Sequence, residues 1–419
     1  MTAKQGITND SPWTLTMVGL CMFTISVVTV RIPIADIGIV VGIIGLIFQR
    51  EKFRFPSPAG LFAGLVVWAA FTSVFSVFPK LAYEFTYERL KLLLIFLVTI
   101  NALRTEKQIR FFLWLYLASF VLSPGRGSLQ GYAGGNTVWG RLMWNYNYNN
   151  PNDMAALTLL VTGFALALAL SSVEKRLAKI IAWLCVLMFA IIIFLTQSRG
   201  VVLGTALAFG PALLVTMSKH RKVIIYAAAA LAVIIYFVPQ AAWDRFALMK
   251  NLTSSTTIAE ADPEGSAENR LEIKKAAVQM FFERPIMGAG VGTYARTMAR
   301  EFPELGSKDA HDTYLSLLTE LGLPGLTLWL SMVIAVLVRA RRARLLAGEK
   351  GHTLAQIWME RSTVGFLIAG FFGSFSGISY IYLYLGVLWC RSAILLPPAS
   401  DAAPAKRFQQ RPNAVAHGR

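Results

Sequence analysis

The sequence predicts an all-α polytopic membrane protein with about 12 transmembrane helices and one long, partly helical loop between two of them. Of its 419 residues, 55% are hydrophobic and only 15% are charged, which excludes an ordinary soluble domain. Apolar runs of about 16 to 22 residues recur along most of the chain, and each is long enough to cross a bilayer core of about 30 Å.

The predicted spans follow one another through almost the whole chain. The first span is preceded by a single basic residue, Lys4, and no small-residue cleavage site follows it. We therefore interpret it as a retained helix and not as a removed signal peptide. The hydrophobic pattern places the spans near residues 13–31, 33–49, 60–79, 87–103, 110–124, 153–171, 178–197, 200–217, 222–240, 311–338, 362–380 and 381–397.

The distribution of basic residues indicates the orientation of the spans. The chain has 40 Lys+Arg against 23 Asp+Glu, an excess that also occurs in nucleic-acid-binding proteins. Here the basic residues lie mainly in every second short loop, which is the pattern of the positive-inside rule. We therefore expect cytoplasmic termini and no nucleic-acid partner. The loops that are rich in basic residues contain Arg50/Lys52/Arg54, Arg104/Lys107/Arg110, Lys175/Arg176/Lys179, Lys219/Arg221/Lys222 and Arg339/Arg341/Arg342/Arg344.

This orientation places three polar connections on the opposite, far side of the membrane. They are the loop Ser123–Asn152, the tight turn Gln197–Gly200 and the long segment 241–310. A segment of that length is exempt from the charge rule and is too long to be a mere connector, so we expect it to be folded and functional. Within it, Glu268 to Glu283 predicts an amphipathic helix, whose apolar stripe is Ile273, Ala277, Met280 and Phe281.

Two far-side arginines are candidates for binding an anion. The guanidinium of Arg199 is permanently charged and has the planar geometry that suits phosphate oxygens. An arginine at a helix end can also simply snorkel to lipid headgroups, but the positive-inside rule disfavours it on this side. Arg270 opens the predicted amphipathic helix; taken alone, it could equally be a solvated charge.

His311 is the candidate for proton transfer. It is one of four histidines and the one at a far-side helix entrance, where it could act as a general base or could only cap the helix. Tyr314 lies one turn further on and could share its pocket. Glu320 lies inside the same predicted span, and we expect it to pair with a buried backbone or basic group. Gly288, Gly290 and Gly292 predict tight packing or close approach to a ligand, because no strand precedes them and no Gly-Lys-Ser/Thr follows.

At these residues the chain resembles the bacterial O-antigen ligase superfamily, which also includes O-antigen polymerases and protein O-oligosaccharyltransferases. The resemblance depends on an ordered set of motifs between about 140 and 330. Two departures from the family pattern stand out: Asp312 follows the histidine where Asn is frequent, and Ile273 and Lys274 occupy the region where an aromatic residue is usual. The motifs are Asn150-Pro151-Asn152, Thr196-Gln197-Ser198-Arg199-Gly200, Asn269-Arg270-Leu271, Pro285 through Tyr294, His311-Asp312-Thr313-Tyr314-Leu315 and Glu320 through Gly325.

The resemblance implies a metal-independent, cofactor-free glycosyltransferase of the bacterial inner membrane, active in lipopolysaccharide biosynthesis. It would move a glycan from undecaprenyl diphosphate to a sugar hydroxyl of lipid A–core on the periplasmic face, with inversion at the anomeric carbon. By similarity, Arg199 and Arg270 would hold the diphosphate and His311 would lie at the reacting centre. Preorganised guanidinium groups can offset the charge of such a leaving group without a metal. Further substrate contacts are expected from Tyr314, Lys80, Arg89 and Arg141.

The expected organisation follows from these assignments. We divide the chain into a cytoplasmic N-terminus (1–12), transmembrane helices 1–9 (13–240), a periplasmic catalytic loop (241–310), helices 10–12 (311–397) and a disordered cytoplasmic tail (398–419). Cys21, Cys185 and Cys390 lie in separate hydrophobic runs, so we expect apolar packing from them and neither disulfides nor a zinc site.

Two alternative functions stay open at this stage. An O-antigen polymerase or a protein O-oligosaccharyltransferase would use the same donor, and the motifs hardly separate these activities from a ligase. A secondary transporter or lipid flippase belongs to a different class and would predict internal repeats and several ionisable groups at the bilayer midplane. No internal repeat is evident in the sequence, and Glu320 is nearly the sole candidate for an ionisable group at the midplane.

Overall fold

The computed structural model describes residues 13–30, 32–48, 53–144, 150–219, 232, 236, 266–348 and 352–396. In these ranges the chain is helical and contains no β-strand, so the all-α prediction is confirmed. The helices are α1 (Leu15–Thr29), α2 (Ala35–Phe48), α3 (Ser57–Val74), α4 (Pro79–Ala102), α5 (Glu106–Phe120), α6 (Arg126–Ala133), α7 (Pro151–Ala169), α8 (Arg176–Leu195), α9 (Arg199–Lys219), α10 (Ser266–Glu283), α11 (Tyr294–Glu301), α12 (Thr313–Ala347), α13 (His352–Ala369) and α14 (Ser379–Leu395).

A helix occupies each predicted span in the described ranges, whereas the predicted span 222–240 falls almost entirely outside them. Helices α3, α7, α8 and α12 are both long and apolar enough to cross a membrane. Helices α1, α2, α9 and α14 are apolar over a shorter length. The chain is thus a helical membrane protein, while the predicted number of 12 spans is not confirmed.

Three predicted boundaries were wrong. The predicted span 362–380 ends early, because α13 stops at Ala369 and a single 3-10 turn, Gly370–Phe372, leads into a non-helical stretch before α14. The predicted loop 123–152 contains α6, which follows α5 through a short π-helix, Val121–Gly125. The span predicted at 311–338 extends to Ala347 and is broken at Gly322.

The glycine-rich segment 285–292 forms the hydrogen bonds that α12 lacks at its break. Gly322 has φ 66° and ψ −172°, and Pro324 follows two residues later, so the helix cannot continue its own hydrogen bonds here. The backbone N–H groups of Ala289 and Gly290 donate to the carbonyl oxygens of Thr319 and Glu320 at 2.8 and 2.9 Å. A backbone that must cross an apolar environment needs every such group paired, so the segment substitutes for the missing helical turn.

The glycines of this segment are needed for close packing. A Cβ at Gly322 would come within 2.0 Å of the Ile286 carbonyl oxygen, and one at Gly290 within 2.2 Å of the Ser76 hydroxyl. Both residues have a positive φ, which disfavours any side chain. Tight packing, one of the two roles predicted for this segment, is therefore confirmed. The backbone that approaches Gly322 closely belongs to Pro285 and Ile286, in an irregular segment.

Two apolar clusters hold the described helices together. The large cluster includes buried aromatic residues of α3, α5, α7 and α14. A small separate cluster joins α10 and α11 and contains Ile273, Ala277, Met280, Tyr294 and Met298. Residues 266–310, the described part of the predicted loop 241–310, therefore fold around a core of their own.

Candidate active site

The predicted amphipathic helix is confirmed as α10. Its apolar stripe faces the small cluster, where Ile273, Ala277 and Met280 are buried, while Glu272 and Lys275 are exposed. Because Arg270 and Lys274 are four residues apart, they project from one face of the helix. Both residues are half-buried. Helix α10 therefore presents two basic groups toward the start of α12.

His311 precedes α12 in a strained backbone conformation. Its φ is 49°, in the left-handed region that few residues other than glycine adopt. The next residue, Asp312, caps the helix: its Oδ1 accepts hydrogen bonds from the backbone N–H of Tyr314 and Leu315 at 3.0 and 3.1 Å. Strain of this kind persists where surrounding contacts enforce it, and it clusters at functional sites.

Opposing charges surround the imidazole of His311. Asp309 Oδ2 lies 3.7 Å from His311 Nδ1, and the hydroxyl of Ser374 donates to Asp309 Oδ1 at 2.9 Å. Burial lowers the pKa of His311 below its ordinary value; Asp309 opposes this effect, while Arg270 and Lys274 add to it. The balance favours a neutral imidazole at neutral pH, which is the form that can accept a proton.

The segment between α13 and α14, residues 370–378, is a feature that the sequence analysis missed. We call it the α13–α14 connector. Its Gly373 carbonyl accepts from the Thr313 hydroxyl at 2.6 Å, and its Ser374 hydroxyl lies 3.0 Å from that of Ser316. Its Phe371 carbonyl accepts from Lys274 Nζ at 3.0 Å. The connector therefore packs on α12 and α10 around His311.

Arg199 begins α9 two residues after a second strained residue, Gln197, whose φ is 51°. Arg141 fixes this turn, because its Nε donates to the Thr196 carbonyl at 2.8 Å and its Nη2 donates to Asn152 Oδ1 at 2.9 Å. Asn152 belongs to the predicted Asn-Pro-Asn element at the start of α7. The N-termini of α7 and α9 thus lie side by side, an arrangement that favours a bound anion.

The connector links the Arg199 turn to the His311 group. The ring of Phe372 lies against Gly200, where an added Cβ would come within 2.4 Å of the ring. The neighbouring Phe371 contacts the ring of Tyr314 at a centroid distance of 4.4 Å. The connector therefore contacts the turn that carries Arg199, helix α10 and the start of α12.

The other predicted contact residues have different surroundings. Arg89 is buried, and its guanidinium donates to the Ser376 carbonyl and, at 3.1 Å, to the Ser376 hydroxyl. The Tyr314 hydroxyl donates to the Leu367 carbonyl at 2.6 Å, so it is turned toward α13. Lys80 is exposed at the start of α4. Arg89, Tyr314 and Arg141 thus support the fold around the site, and substrate contact by any of the four stays a prediction.

Glu320 pairs with a buried backbone group, as predicted. Its Oε1 accepts from the N–H of Tyr294 at 3.4 Å, beside the segment that completes α12. Among the residues that the structure describes, no group of three or more His, Cys, Asp or Glu side chains is arranged to hold a metal ion. The independence from metals stays a prediction.

Together these features define a class: a helical membrane protein with a polar site of arginine, histidine and carboxylate groups at the ends of its helices. Residues 183–330 match the family model described as O-antigen ligase, and the resemblance to the O-antigen ligase superfamily is thereby confirmed. The matched region includes Arg199, Arg270 and His311, whereas Lys80, Arg89 and Arg141 lie outside it. Comparison with curated proteins finds no match to the chain. Members of the family are glycosyltransferase-like enzymes with activity of the O-antigen ligase or polymerase type.

Proposed function

We propose that this protein is an O-antigen ligase of the bacterial inner membrane, with its site on the periplasmic face and both termini in the cytoplasm. The donor is a glycan on undecaprenyl diphosphate and the acceptor is a sugar hydroxyl of lipid A–core. The observation that carries the proposal is the position of His311, which is partly buried, lies 3.7 Å from Asp309 and is within electrostatic range of Arg270.

In the proposed reaction, His311 accepts the proton of the acceptor hydroxyl. Asp309 faces Nδ1, so Nε2 is the nitrogen that takes the proton. The hydroxyl oxygen forms a bond to the anomeric carbon while the bond from that carbon to the phosphate oxygen breaks. Attack opposite the leaving group inverts the anomeric configuration, and undecaprenyl diphosphate leaves with the bonding electron pair.

Arg199 and Arg270 stabilise the departing diphosphate. Negative charge on its oxygens rises in the transition state, and guanidinium groups that are already in place offset this charge without reorganisation. The adjacent N-termini of α7 and α9 add partial positive charge on the same side. The chemistry of these groups requires no cofactor.

The test is reconstitution of the purified protein in nanodiscs with undecaprenyl-diphosphate glycan and lipid A–core, without ATP and with a chelator present. We expect slower-migrating lipopolysaccharide, with an anomeric configuration opposite to that of the donor linkage. If longer lipid-linked chains form in place of that product, the protein is a polymerase. If a glycosylated protein forms, it is a protein transferase. Donor that stays intact with every acceptor would favour transport.

A further inference from the structure

We infer that Lys274 and Asp312 are a pair of positioning residues that dock α10 on the start of α12 and so set Arg270 against His311. The inference depends on the proposed function for its catalytic meaning. Lys274 Nζ lies 2.9 Å from Asp312 Oδ2. The two residues are 38 positions apart in the chain, and the structure places them in direct contact.

The pair joins the segments that carry all three proposed catalytic residues. Lys274 lies one helical turn after Arg270, and Asp312 directly follows His311. The same ammonium group donates to the Phe371 carbonyl at 3.0 Å, and the adjacent Phe372 packs on Gly200, next to Arg199. One cation therefore contacts both the entrance of α12 and the α13–α14 connector.

Burial separates this pair from an ordinary surface ion pair, which contributes little. The Asp312 side chain is 6% exposed and that of Lys274 is 34% exposed. Both carboxylate oxygens are engaged, since Oδ1 caps α12 and Oδ2 accepts from Lys274. Removing Lys274 alone would leave a buried carboxylate oxygen without its cation, which is far less favourable than removing both charges.

The hydrogen-bonding groups of the two side chains explain why the double change should be tolerated. An asparagine at position 312 can still cap the helix through its side-chain oxygen, but its NH₂ group would face the ammonium of Lys274 and could not accept from it. Asp312→Asn and Lys274→Met should therefore each be harmful alone and compatible together.

The experiment compares transfer by Lys274→Met, Asp312→Asn and the double variant in nanodiscs, with Lys275→Met as the control on the exposed face of the same helix. We expect each single variant to lose about 10-fold or more in kcat, and the double variant to recover to within a few-fold of wild type. Lys275→Met should match wild type. Losses that multiply in the double variant, or a Lys274→Met rate equal to wild type, would overturn the inference.

Two further readouts distinguish positioning from general destabilisation. The charges that act on His311 are Asp309 from its own segment and Arg270 and Lys274 from α10. Lys274→Met removes a positive charge, so the acidic limb of the pH–rate profile should move to higher pH, and an unmoved limb would count against the inference. The rate of backbone hydrogen exchange in residues 266–283 should rise in each single variant and return to the wild-type rate in the double variant. This measurement needs no turnover, so it can contradict the pair even if the proposed function fails.

Discussion

At the scale of single residues, the proposed mechanism depends on a neutral His311, which the structure holds in a strained conformation. Burial and two neighbouring cations lower its pKa, whereas Asp309 acts in the opposite direction. Asp309 is itself fixed by Ser374, so the orientation of the imidazole is set from the α13–α14 connector. Each of these groups can be changed separately, and the direction of the effect differs between them.

Replacing Asp309 by asparagine should shift the acidic limb of the pH–rate profile to lower pH. The carboxylate raises the pKa of His311, so its removal lowers that pKa and the imidazole stays neutral in more acidic solution. The rate at neutral pH should fall, by about 10-fold, because the imidazole loses its orienting partner. The exposed Glu304→Gln is the matched control. A limb that moves to higher pH would contradict this account of the charges.

Replacing Arg141 by methionine should destabilise the protein and impair transfer through the Arg199 turn. The change leaves the Thr196 carbonyl and the Asn152 side chain without a buried donor, which costs about 1–3 kcal/mol per group. Thermal unfolding in detergent, with the exposed Arg126→Met as control, measures the effect. If the Arg141 variant loses donor affinity but keeps its thermal stability, Arg141 contacts substrate directly, as the sequence predicted.

At the scale of the elements, the main feature is the break in α12. The glycine-rich segment 285–292 supplies hydrogen bonds to the broken turn, and the side chain of Trp68 on α3 donates to the Leu321 carbonyl at 2.8 Å. These bonds connect the folded segment that carries Arg270 to the transmembrane bundle. The position of α10 therefore depends on the geometry of a turn that lies well inside α12.

Gly322→Ala should destabilise the protein more strongly than Gly306→Ala. Both glycines have a positive φ, 66° and 68°, so alanine is strained at either position. At Gly322 the ψ of −172° adds to this, because that backbone region is essentially restricted to glycine and costs other residues about 1–3 kcal/mol. Only at Gly322 would the new Cβ collide with backbone, since nothing lies within 4 Å at Gly306. Overpacking adds about 1–3 kcal/mol. Equal thermal midpoints for the two variants would show that segment 285–292 does not pack on α12 as described.

Sequence reasoning identified elements whose signal is local. The 16-to-22-residue apolar runs and the stripe of α10 appear directly in the order of residues, and so do the charged residues at helix ends. The α13–α14 connector was missed because residues 362–397 were interpreted as two adjoining apolar spans. A signal was present, since Gly370, Gly373, Ser374, Ser376 and Gly377 form a Gly/Ser cluster of the kind that interrupts helices. Likewise, Gly322 and Pro324 were visible, but their effect depends on residues 285–292, whose pairing is a tertiary contact.

At the scale of the whole molecule, the structure brings distant parts of the chain into contact, namely α10, the start of α12, the α13–α14 connector and the turn before α9. Arg199, Arg270 and His311 were predicted as a group, but the contact between Lys274 and Asp312 could not be, because a pair 38 residues apart leaves no local periodicity. The roles of Arg89 and Arg141 could also not be inferred from the sequence. An arginine that binds a carbonyl and an arginine that binds a phosphate have the same sequence signature, and only their surroundings distinguish them.

The proposed orientation predicts which residues are accessible from each side of the membrane. Lys80→Cys and Glu304→Cys should react with a membrane-impermeant thiol reagent added to intact cells with a permeabilised outer membrane. Lys107→Cys and Arg176→Cys should react only after the inner membrane is opened. All four positions are exposed, so burial does not decide the result. Reaction of Lys107→Cys in intact cells would reverse the orientation and with it the periplasmic site.

In the proposed mechanism, His311 takes the proton of the acceptor hydroxyl while Arg199 and Arg270 hold the donor. The most direct measurement is the single-turnover transfer rate of His311→Gln, together with its affinity for the donor, against wild type and the exposed control Arg296→Ala. We predict a loss of at least ~100-fold in rate with donor affinity unchanged. A wild-type rate in His311→Gln, or a loss explained entirely by weaker donor binding, would contradict the claim.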